Sequence, residues 1–472
     1  MNYFDFDLIL ARAGKRYKAF VDSPAGQAAV DFSLPFSELE LENFLLKIGR
    51  PRQGRRRVDS PEMKTVKAFG MRLFEAVFAG EVRGCFRSSL DEAGRQKVGL
   101  RVRLRMTNTP ELADLPWEYL YNPSLNRFLA VSKETPLVRY LDLPERILPL
   151  LVKPPLKVLA VISSPADYME LAIAREWEKL NEALVALERR GLVTLERLEK
   201  TTLSALRKCL RESEHHIFHF IGHGGFDQQS QDGVLILEDH KNQGVAVSGQ
   251  NLGTLLRDAR TLRLVLLNAC EGARSARKDP FAGVAQSLVQ QGIPAVIAMQ
   301  FEVTDKFAIA FAREFYTAVA DGNPIDTALS ETRKAILVEG NDIEWAAPVL
   351  YMRSSDGRIF DIAPEDEETK DIAPADEPLA QLYNAHIRLS LLFYLDNLPN
   401  EPQGLSITEI CQTLNIKKRK DAVAALQDLS ENQLVEKARK SKSVYWRIAA
   451  KGREVLQKLE DLIKTRVETP AR

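Results

Sequence analysis

The chain of 472 residues holds only four cysteines, Cys85, Cys209, Cys270 and Cys411, and none of them forms a CxxC pair. Neither a disulfide framework nor a cysteine-rich zinc site is indicated, and a reducing, cytoplasmic setting is expected. Net charge is also missing, because 65 Lys and Arg balance 65 Asp and Glu. That balance argues against a chain that coats nucleic acid along its whole surface, while leaving room for one basic module. No run of about 18 apolar residues occurs, and the opening MNYFDFDLIL has acids where a signal peptide needs bases, so neither secretion nor a membrane span is expected. Histidine is scarce as well. All six lie beyond residue 200, so the first 150 residues cannot supply a Cys and His pair of their own.

What is present is the composition of a multidomain globular protein, 45% hydrophobic and 28% charged. Residues Asp361 to Ala380 carry eight acids, one lysine and three prolines, which reads as a self-repelling flexible linker. A softer boundary falls at Leu151 to Leu156, where adjacent prolines interrupt regular structure. The expected organisation is an N-terminal half over 1–150, a catalytic domain over 151–362, an acidic linker over 363–378 and a small domain over 379–472.

Within residues 151–362, apolar β-branched runs alternate with amphipathic helical stretches. Strands are expected at Lys157 to Ser163, Leu192 to Leu198, His216 to Ile221, Leu262 to Asn268 and Ala295 to Gln300, with helices at Leu171 to Arg190 and Thr202 to Glu212. The near-continuous apolar runs suit a parallel sheet covered on both faces, hence an α/β fold. The first 150 residues read as α/β too, with strands at Tyr3 to Leu10, Val98 to Met106 and Phe128 to Val131, and helices at Ser37 to Ile48 and Lys64 to Ala79.

Two motifs carry chemistry. In HHIFHFIGHGGF an apolar strand ends in a Gly-His-Gly-Gly turn that delivers His223 to the carboxyl edge of the sheet, where α/β folds place their crevices. The flanking glycines allow close backbone approach, and the Gly224 N–H is free for a developing oxyanion. In LRLVLLNACEGAR a second strand ends at the same edge, just before Cys270. An imidazole and a thiol brought together there are the minimum for a thiolate nucleophile with a general acid and base. No Asp or Asn stands out as an orienting third residue. His216 and His219, inside the apolar strand, read as hydrogen-bonded core residues. Zinc on His215, His216, His219, His223 and Cys270 is disfavoured, since residues 216 and 219 point to opposite faces of a strand. No metal and no cofactor is expected, and GHGGF lacks a phosphate-binding loop.

The GHG and NAC motifs, the later DPFAGVAQSLVQQGIPAVIAMQF and WAAPVLY, and the upstream ELADLPWEYLYN, FLAVS and TPLVRYL together resemble the CHAT family of caspase-like proteins over about residues 1–362. The resemblance implies a caspase-like, mostly parallel sheet sandwiched by helices, preceded by an inactive α/β half. It implies His223 and Cys270 as the catalytic pair, with oxyanion donors at the N–H groups of Gly224 and Cys270. It also implies substrate pairing as a strand near Met299, Gln300 and Phe301. Related peptidases that cleave after basic residues often carry an acid two positions before the nucleophile. Asn268 stands there instead, which removes that basis for basic specificity.

After the linker the pattern is helical, with a basic hairpin at Lys440 to Arg447, and it resembles a winged-helix module. Residues 401–472 hold fifteen Lys or Arg against ten Asp or Glu, and Lys417 to Lys420 are four consecutive bases. DNA binding is one reading, but a contact with a sensor or adaptor protein is preferred. The function expected is a regulated cysteine endopeptidase that cleaves a protein partner or itself, the acidic Glu365 to Glu368 being the proposed self-cleavage segment. A prokaryotic signalling or defence role is implied by the resemblance alone. The alternative is a silent scaffold or DNA-binding regulator acting through residues 379–472, and the retention of both His223 and Cys270 argues against it.

Overall fold

Alternating side chains along the central apolar runs point to opposite faces, and both faces are buried, which is what turns those runs into interior strands. The computed structural model describes residues 2–48, 60–106, 109–143, 147–227, 232–269 and 281–363, and in the C-terminal part 405–406, 426, 429–430, 435–440, 443–449, 451 and 453. The chain divides into two compact units, Met1–Asp366 and Glu367–Arg472.

The first unit is built on one sheet of eleven strands, in the order Val193–Arg197, Leu156–Ile162, Ile217–Gly222, Leu264–Ala269, Ala295–Met299, Pro348–Met352, Leu137–Tyr140, Gly99–Arg105, Tyr3–Ala13, Arg16–Ser23 and Gly26–Phe32. The first five are mutually parallel. Pro348–Met352 joins them antiparallel and then continues in parallel into the strands of the N-terminal half. The class is therefore α/β with a mostly parallel sheet, as expected. Val158, Ala160 and Leu266 pack with Leu184 and Phe315 from one helical layer, while Leu159, Phe220 and Leu267 pack with Leu252, Leu256 and Val284 from the other. Helix Ile173–Arg189 connects two adjacent parallel strands, which is the βαβ step read from the sequence.

Several elements differ from expectation. Leu129–Val131 is a short 3-10 helix, and only Arg127–Phe128 is strand, because the Leu129 N–H donates to the Leu120 carbonyl in a local corner. The hairpin of Arg16–Ser23 with Gly26–Phe32 and the helix Gly80–Arg95 were not foreseen. Among the described residues no helix is long and apolar enough to cross a membrane.

Arg101, from the N-terminal half, lies almost fully buried. Its Nε donates to Asp326 at 2.5 Å, Nη1 to Asp5 at 3.2 Å and to the Ser355 carbonyl, and Nη2 to the Asp356 carbonyl at 2.8 Å. This ties a strand of the first half to helix Ile325–Val338 of the second.

In the second unit the described strands are Leu405–Ser406, Val435–Lys440 and Ser443–Ile448, which form an antiparallel sheet in the order first, third, second. The expected basic hairpin falls on the last two strands. The run Lys417 to Lys420 and the acidic segment Glu365 to Glu368 lie outside the described residues.

Candidate functional site

Strands Ile217–Gly222 and Leu264–Ala269 are neighbours, and their pairing runs in parallel from Ile217 opposite Leu264 to Gly222 opposite Ala269. The next residue of one chain segment is His223 and the next of the other is Cys270. Cys270, together with its N–H, lies outside the described residues, so what is established here is the register of the strand that leads to it. That register ends level at the carboxyl edge.

His223 is 95% buried, being 5% exposed. Its Nε2 lies 2.9 Å from the Met169 carbonyl oxygen, and Tyr168 lies beside the ring at 5.3 Å between centroids. A carbonyl can only accept, so Nε2 carries a proton and, in the neutral ring, Nδ1 keeps the lone pair. The orienting group that no Asp or Asn supplied is thus a backbone oxygen. It sits on the loop after Leu156–Ile162, and that loop is pinned elsewhere: the Ser164 N–H donates to Glu238 at 2.8 Å, the Gly244 N–H to Asp167 at 2.7 Å and the Ala166 N–H to the Asn242 carbonyl at 2.8 Å. Sequence reading had no means of finding Met169, because a carbonyl carries no residue identity.

Beyond His223 the chain enters an antiparallel sheet of Gly224–Asp227, Asp232–Glu238 and Gly244–Ser248. The Ile236 N–H donates to the His223 carbonyl at 3.0 Å, while Gly224 faces Leu235. In an antiparallel ladder bonded and unbonded pairs alternate, so the Gly224 N–H turns away from the neighbouring strand. A Cβ at Gly224 would stand 2.3 Å from Cε1 of buried Phe281, and one at Gly222 would stand 2.7 Å from Cζ of Phe220. The glycines around the histidine answer to space rather than to left-handed backbone. Gly224→Ala is expected to push the turn off Phe281 and cost about 100-fold in any activity that needs this N–H, since displacements near 1 Å are that costly. Partial recovery in Gly224→Ala with Phe281→Leu, measured as kcat/KM, checks the cause.

A cleft of about 170 Å³ opens at this edge, between Glu170, Arg175, Lys179, Asn268 and Asp305. Lys179 donates to Asp305 at 2.5 Å and also to Glu176, and Arg175 pairs with Asp305, so the cations of the cleft are already matched. The Asn268 Oδ1 is buried and has no hydrogen-bond partner among the described residues.

Met299, Gln300 and Phe301 are not at an open edge. All three are buried; Met299 pairs with Pro348, the Gln300 N–H donates to the Ala347 carbonyl, and the Gln300 side chain donates to Glu118 and to the Ala346 carbonyl. The backbone of Met299 and Gln300 is thus already paired with the strand Pro348–Met352 and the segment before it.

His216 and His219 are core residues, as read. The Lys157 N–H donates to His216 Nδ1 at 3.0 Å, and His219 Nδ1 lies 2.9 Å from the Tyr316 hydroxyl. Burial pushes the His219 imidazole down to about 4 from the model-compound 6.5. The unfolded chain therefore binds the proton first, and stability that is complete above pH 6.5 is lost as pH falls from 6.5 to about 4. The loss from this group is roughly 3 kcal/mol. Urea unfolding at pH 7.5, 5.5 and 4.5 should show it, with a shallower slope in His219→Gln.

Residues 67–353 match the family described as CHAT domain, which is more than half of the chain, and the chain belongs to that family. The expected resemblance is thereby confirmed. No curated protein matches. Among solved structures, a chain of the Saccharomyces cerevisiae separase-securin complex is similar at 12% identity and a TM-score of 0.38, with 75% of this chain and 30% of that chain covered. The present chain thus spans under a third of that solved chain's length.

Proposed function

We propose that the chain is a cysteine endopeptidase in which His223 is the general base and acid and Cys270 the nucleophile. The observation that supports this most is the level ending of two adjacent parallel strands at Gly222 and Ala269, with His223 and Cys270 next in sequence. In this reading the thiol proton passes to Nδ1 of His223, whose Nε2–H is held by the Met169 carbonyl. The thiolate attacks the scissile carbonyl carbon, and the oxyanion is met by the N–H groups of Gly224 and Cys270. His223 then protonates the departing amine, and a water deprotonated by the same ring hydrolyses the acyl-enzyme. The substrate is a protein partner or the chain itself. The cleft beside Asn268 receives the side chain preceding the scissile bond, and the C-terminal unit contacts a sensor or adaptor in a prokaryotic signalling or defence setting.

The test is intact mass of wild type and Cys270→Ala, each incubated alone and with lysate of the source cell. Fragments that appear with wild type only support the reading and give the cut site. Identical masses in all four samples, with Cys270 refractory to a thiol probe, refute it.

A further inference from the structure

Away from the peptidase edge, three side chains from three separate elements converge. Glu196 lies on the edge strand Val193–Arg197, Cys209 on helix Leu203–Glu212, and His215 just before the strand Ile217–Gly222. Glu196 Oε2 is 3.0 Å from His215 Nε2, and Glu196 Oε1 is 3.9 Å from Cys209 Sγ. All three ligand atoms fall within 4.8 Å of one another, and among the described residues no other such trio of His, Cys, Asp or Glu occurs. Around a tetrahedral ion with bonds of about 2.0 to 2.3 Å, neighbouring ligand atoms stand about 3.3 to 3.6 Å apart. Side-chain rotation of about an ångström closes the difference.

We propose that Glu196, Cys209 and His215 form a zinc-class binding site. A thiolate, an imidazole and one carboxylate are the donor set of Zn²⁺ and its spectroscopic substitute Co²⁺, whereas Ca²⁺ and Mg²⁺ require oxygen ligands. The His215 side chain is 2% exposed and that of Glu196 is 56% exposed, so the three donors sit at a surface where water can complete the fourth position. The buried Nδ1 of His215 has no hydrogen-bond partner among the described residues, while the backbone is fixed by the Thr261 hydroxyl donating to the His215 carbonyl at 3.0 Å. Eight residues of near-extended chain, roughly 26 Å, separate His215 from His223. The metal therefore takes no part in the peptidase chemistry. It clips a helix to the edge strand of the sheet and anchors the entry of the His223 strand, so its effect is on stability, by binding the folded state only.

The experiment is an anaerobic Co²⁺ titration of the full chain carrying Cys270→Ala, followed by displacement with Zn²⁺. One equivalent of Co²⁺ should bind with a near-ultraviolet sulfur charge-transfer band. That band should vanish in Cys209→Ser, and Glu196→Gln should keep it with at least a tenfold weaker affinity. Zn²⁺ should also protect Cys209 from alkylation in the otherwise unaltered chain, read by peptide mass spectrometry, which needs no variant to fold. Absence of a stoichiometric band, its survival in Cys209→Ser, or unchanged alkylation of Cys209 under saturating Zn²⁺ would each overturn the proposal.

Discussion

Replacing His223 with Asn is expected, under the proposed dyad, to lower kcat/KM for a peptide substrate by about 1,000-fold, with circular dichroism and unfolding midpoint close to wild type. The expected size is that of a lost general base, which contributes about 100- to 10,000-fold. Asn leaves the backbone bond from the Ile236 N–H to the carbonyl of residue 223 in place, which holds the turn, but it cannot take a proton from a thiol. Cys270→Ser should cost at least as much, and the double variant should cost hardly more than either single change, because residues acting as one unit are not additive. Losses that instead multiply in the double variant would show two independent contributions and break the dyad.

The second large effect concerns stability. Asp326→Ala should destabilise the folded chain by about 3 to 5 kcal/mol, the usual result of stranding one partner of a buried ion pair. Here the stranded group is Arg101, whose side chain is 2% exposed against 0% for Asp326. Its other contacts, the Ser355 and Asp356 carbonyls and the more exposed Asp5, do not replace the lost charge. Arg101→Met combined with Asp326→Leu should recover much of the loss, since neither a buried cation nor a buried anion is then left. Equilibrium urea unfolding measures both. An Asp326→Ala midpoint equal to that of wild type would mean that the pair does not couple the two halves of the sheet.

Much of the fold was legible because its central strands announce themselves. KVLAVIS, HIFHFIG and LRLVLLN are buried on both faces and have no polar alternation to confuse them, and their ends are marked by glycine or small residues. The edge elements were harder to read. Arg16–Ser23 buries alternate positions but spends its exposed ones on charges such as Arg16, Lys18 and Asp22, and Gly26–Phe32 alternates only weakly, so neither has the continuous apolar run that marks the central strands.

The site divides in the same way. His223 was readable because a histidine between glycines at a strand end has little packing rationale, and the structure adds one for the glycines, namely Phe281 and Phe220. The Met169 carbonyl was not readable, since any residue could supply it and its position depends on a loop pinned by Glu238 and by the turn around Asn242. The surroundings of Met299 and Gln300 were not readable either, because a strand end looks alike in sequence whether solvent or the Ala346 to Pro348 segment lies beside it. The Glu196, Cys209 and His215 cluster has no motif at all, as its members meet only through the edge of the sheet.

The measurement that tests the central claim most directly is the rate of alkylation at Cys270, resolved by peptide mass spectrometry, as a function of pH in wild type and His223→Ala. The dyad predicts fast labelling at pH 6 to 7 in wild type and a profile in His223→Ala that rises only near the ordinary thiol value of about 8.5. Identical profiles in the two proteins, both rising near that value, would contradict it.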